Sequence, residues 1–174
     1  MAITRIAAYG IYPRHIALSE VVAVLNRAGF RNDNICVVLS PGHPDAGLFR
    51  DSFTSGCGCK ERGDAVRVIR WFCAFGAVVI PTVGVFIHSQ PFLDTLLRNS
   101  DSTLLSRGSH ALFDLGFPAD EAKRLGDRLC DFGAMVYINC PEDSQRSGAV
   151  EVLRRSGAHE AAGIDAWHAT AAAA

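Results

Sequence analysis

The chain has 174 residues, 49% hydrophobic and 20% charged, with a net charge of −1. This fits one domain, or one domain carrying a large insertion, and gives no electrostatic case for binding nucleic acid. The first residues, MAITRIAAYGIYPRH, hold at most a short apolar stretch broken by Tyr9 and Gly10. They read as a strand rather than a signal peptide, so the expected compartment is the cytoplasm, where cysteines stay reduced.

In chain order, Ile6–Tyr12 has the character of a strand closed by Pro13. Ala17–Ala28 follows with Leu18, Val21, Val22 and Leu25 at helical spacing, and Gly29 stands where a left-handed cap belongs. Asn34–Ser40 is a second strand, rich in branched residues and stopped by Pro41-Gly42. The end of the chain repeats this grammar: a strand over Ala134–Cys140, Pro141, a helix over Ser144–Ser156 with Val150 and Leu153 inward, Gly157, and a short strand over Gly163–His168. At an offset of 128 positions Tyr9 matches Tyr137, Pro13 matches Pro141, and VLNRAG matches VLRRSG. Two strand–helix–strand units in one sheet predict an α+β ferredoxin-like βαββαβ sandwich over residues 1–40 and 117–174.

Residues 41–116 fall outside the repeat and are expected to be an insertion between the second and third strands. It opens with a polar, Gly-containing loop and continues into Trp71–Ile87, WFCAFGAVVIPTVGVFI, which has no charge. Ten of these side chains are large and apolar, so exposing them all would forfeit on the order of 15–30 kcal/mol. Pro81 and Gly84 lie where one long helix would turn, which predicts a hydrophobic helical hairpin. Such a segment must be covered by the chain's own core, by a second copy or by lipid. A dimer contact is the expected solution, with Trp71, Phe72, Phe75, Val79, Val83 and Phe86 as its surface; a membrane attachment is the alternative. Leu104–Leu115 is predicted helical. Phe117–Asp131 is a clearer amphipathic helix, with Pro118 at its start, Asp120-Glu121 in the first turn, and Ala122, Leu125, Leu129 and Phe132 inward before Gly133.

Chemistry-bearing motifs are sparse. Cys57-Gly58-Cys59, beside Lys60 and Arg62, could chelate a soft metal or exchange thiols, with His43 as a distant third ligand. A structural zinc site needs four ligands, so the bland expectation is a loop with incidental cysteines and no metal. The six histidines form no i,i+4 pair, Ser40 and Ser52 with His43 lack a nucleophile elbow, and no phosphate-binding glycine motif follows a strand. Asp120, Glu121, Asp127 and Asp143 read as helix caps and solvated faces. No catalytic residue and no cofactor are expected.

Several stretches are shared with a known pattern: Leu25–Phe30 (LNRAGF), Asn34–Leu39 (NICVVL), Ile80–Gly84 (IPTVG), Leu115–Ala122 (LGFPADEA), Gly133–Tyr137 and Val152–Ala158. With these the chain resembles the bacterial general stress proteins, some of them heat-induced or low-temperature-induced. The insertion has fewer glycines and more aromatics than is usual there, and the SGCGCK loop has no counterpart. The resemblance implies involvement in stress responses and supplies no catalytic residues, and the chain is expected to be non-enzymatic. The expected function is self-association, as a homodimer, or binding of a partner through the insertion. The alternatives are a membrane-attached accessory protein and a thiol or metal protein using Cys57 and Cys59.

Overall fold

The computed structural model describes residues 5–40, 42–44, 77–80, 84–88, 115 and 117–166. Among these residues six strands and three α-helices follow in the order β1 (Arg5–Pro13), α1 (Leu18–Arg27), β2 (Ile35–Leu39), β3 (Ala77–Ile80), β4 (Gly84–His88), α2 (Ala119–Phe132), β5 (Gly133–Cys140), α3 (Asp143–Arg155) and β6 (Glu160–Ala166). They make a mixed α/β structure around one sheet, ordered β3-β4-β2-β5-β1-β6. Every neighbouring pair is antiparallel.

The two halves match in their punctuation. Gly29 ends α1 at φ +97° and Gly157 ends α3 at φ +99°, conformations that cost any residue with a Cβ. After α1, Phe30 N–H donates to the Leu25 carbonyl at 3.0 Å; after α3, Ala158 N–H donates to that of Leu153 at 3.2 Å. These bonds satisfy carbonyls that the helix leaves open, and they turn each chain back toward the sheet. Tyr9 stands opposite Tyr137 in the pairing of β1 with β5. Residues 128 positions apart thus meet mid-sheet, and a pseudo-twofold axis passes between them. The last strand begins at Glu160, ahead of the expected Gly163, because Ile11 and Tyr9 of β1 offer partners to Glu160 and Ala162.

Helices cover both faces. Alternation along the strands sends Ala8, Tyr12, Val37, Val136 and Ile138 to one side. There they pack with Leu18, Val21, Val22 and Leu25 of α1 and Ala149 and Leu153 of α3. Ala7, Tyr9, Ile11, Cys36, Val38, Met135 and Tyr137 point the other way, onto Ala122, Leu125 and Leu129 of α2 together with Leu115 and Phe117. Phe117 seats its ring edge-on against Tyr9, at 5.3 Å between centroids, and against Tyr137, at 6.0 Å. The amphipathic helix expected over 117–131 therefore closes the second face of the sheet.

The insertion departs from expectation. Around Pro81 the apolar segment forms strands, not helices: Ala77 pairs with Ile87, Val78 with Phe86, Val79 with Val85 and Ile80 with Gly84. Val78, Val79, Ile80, Val85 and Ile87 are the branched types that favour a pleated surface, and β2 offers β4 a ladder partner. The chain reverses between Ile80 and Gly84, where the turn was expected. β4 then pairs with β2, Val38 opposite Phe86 and Val37 opposite Ile87, so the hairpin widens the sheet instead of forming a helical unit. No helix among the described residues is long and apolar enough to cross a membrane, and the paired strands rule out a helical span over residues 71–87. The predicted helix Leu104–Leu115 lies outside the described residues except for Leu115, a buried turn residue.

Candidate functional site

Of the expected contact residues, Val79 lies in β3 and Phe86 in β4; Trp71, Phe72, Phe75 and Val83 lie outside the described residues. Cys57 and Cys59 do as well. Their distant companion His43 is described, and is 3% exposed just beyond β2. Its backbone N–H donates to the Ser40 carbonyl at 3.0 Å, while the Ser40 backbone N–H donates to the Gly133 carbonyl at 2.8 Å. A Cβ added at Gly133 would lie 2.4 Å from Cγ of Arg14 and 3.3 Å from Cδ2 of His43. Gly133, at φ +114°, thus both caps α2 and makes room for Arg14 and His43. Ser40 is 1% exposed, and among the described residues its hydroxyl has no hydrogen-bond partner. Among the described residues no three His, Cys, Asp or Glu side chains are placed to hold a metal.

The densest polar cluster joins α2 to β1 and β6. Arg124 forms an ion pair with Glu121 one turn back. It also forks onto Glu160, at 2.8 Å from Nη2 to Oε1 and 3.3 Å from Nη1 to Oε2. The Tyr9 hydroxyl donates to Oε1 of Glu160 at 3.0 Å and accepts from Nη2 of Arg124 at 3.2 Å. Beside it His159 stacks on Phe132 at 4.4 Å, and Arg128 lies 5.7 Å from the centroid of that ring.

Each group is held away from neutral-pH chemistry. Hydrogen bonds from the Arg124 guanidinium hold both Glu121 and Glu160 below the usual carboxylate range. Burial, reinforced by the hydrogen bond to Glu160, pushes the Tyr9 phenol up to about 12. Arg124 is raised by the same two carboxylates. A general acid or base works best with a pKa near the operating pH, and here every member is moved away from it. The cluster is a clamp fastening α2 across the sheet. Glu121 is therefore no merely solvated face: spacing shows its i,i+3 contact with Arg124, but Glu160, 36 residues further on, is brought in only by the fold.

The remaining candidates are chemically quiet. Cys36 and Cys140 are buried free thiols; burial pushes both up, Cys140 to about 11, so they stay protonated and unreactive near neutrality. An open depression of about 390 Å³ between α1 and β2 is lined by Asn26, Gly29, Phe30, Arg31, Asn32 and Asp33. Asn26 already donates there to the Phe30 carbonyl at 2.9 Å and to Oδ1 of Asn32 at 2.8 Å, so its amide serves the loop itself.

No family model matches the chain, and neither a curated protein nor a solved structure does.

Proposed function

We propose that this is a non-enzymatic, stress-associated protein of the cytoplasm that works by association, through the apolar insertion at one end of its sheet. The core of the reading is ferredoxin-like: β2-β5-β1-β6 with α1 and α3, widened by the β3–β4 hairpin. The strand order, the antiparallel pairings and the matched helix caps support that assignment. The stress association rests on the sequence motifs alone.

The observation that carries the proposal is the hairpin. It continues the sheet with two strands that contain no charged residue and ends on β3, which pairs among the described residues with β4 only. An apolar edge strand presents unpaired backbone donors and acceptors, and native proteins cover or blunt such edges. A second copy of the chain or another protein is the natural cover.

A photo-cross-linking residue at Val79, in cells expressing the chain, tests this. The expected result is one discrete adduct, identified by mass spectrometry as a second copy or a different protein, with none from the same residue at exposed Glu20 on α1. No adduct at Val79 overturns the reading.

A further inference from the structure

We draw no further inference here: the strongest candidate, the polar side-chain cluster at the end of the sheet where Arg14, Ser40 and His43 gather around Gly133, carries nothing, because nothing among the described residues shows what would occupy it.

Discussion

Arg124 binds two carboxylates and a phenol with one guanidinium, and its side chain is 41% exposed. Solvent screens such pairs, so the network is worth less than its bond count suggests. Removing the arginine does more than delete bonds, because Glu121 and Glu160 are left side by side. Arg124→Ala is therefore expected to cost about 1–2 kcal/mol near pH 7, and Glu160→Gln about 0.5–1 kcal/mol. The pH dependence follows from the depressed carboxylates. A group with a lowered folded pKa adds stability above its unfolded pKa and loses it as pH falls through the folded value. The gap between wild type and Arg124→Ala should thus be full at pH 7 and narrow below about pH 4.3. Urea midpoints at pH 7, 5 and 3.5 measure it; a gap unchanged at pH 3.5 would show that the clamp contributes nothing through charge. From the sequence, Glu121 and Arg124 could be placed on one helix face. Glu160 could not, because its distance from Arg124 depends on how β6 docks beside β1.

At the scale of elements, local signals that carried their own physics were legible. Gly29 and Gly157 follow helices whose apolar spacing ends there, and both adopt positive φ. Pro118 opens α2 and Gly133 closes it, as capping chemistry demands. The apolar insertion was misread at the same level because a charge-free run of seventeen residues has no polar alternation to set its period, and its pieces fit buried strands or helices equally well. What settles it is the free edge of β2, which is not a property of residues 77–88. Gly133 shows a second limit: its cap was readable, but its closeness to Arg14 was not. Two alanine substitutions separate these roles. Gly29→Ala meets only backbone strain, since nothing lies within 4 Å of the added Cβ, and should cost about 1 kcal/mol. Gly133→Ala adds a collision with the Arg14 stem and should cost about 2–4 kcal/mol. Equal losses in thermal melts would mean that Arg14 moves aside freely and only the positive φ matters.

At the scale of the whole molecule, the sheet is a partition. The apolar cluster under α1 and α3 and the cluster under α2 share no residue, because alternate positions of the same strands feed opposite sides. Periodicity marked the buried faces of α1 and α2 and, in α3, Leu153 with the partly buried Val150 but not the buried Ala149; it did not mark which sheet face each helix would cover, because that depends on strand order, which pairs residues far apart in the chain. The partition makes a thermodynamic prediction. Leu25 of α1 and Leu153 of α3 lie in one cluster, and Leu125 of α2 lies in the other, each almost wholly buried. Shortening any one to valine should cost about 1 kcal/mol, small enough to leave a folded protein. Leu25→Val with Leu125→Val should then add to within about 0.5 kcal/mol, because no packed side chain is common to both sites. Leu25→Val with Leu153→Val should depart from additivity by more, since the two vacancies open into one cluster whose helices can settle together. The measurement is a pair of double-mutant cycles in urea. Coupling as strong across the sheet as within one face would mean that the strands transmit repacking from side to side, and that the two layers form a single core.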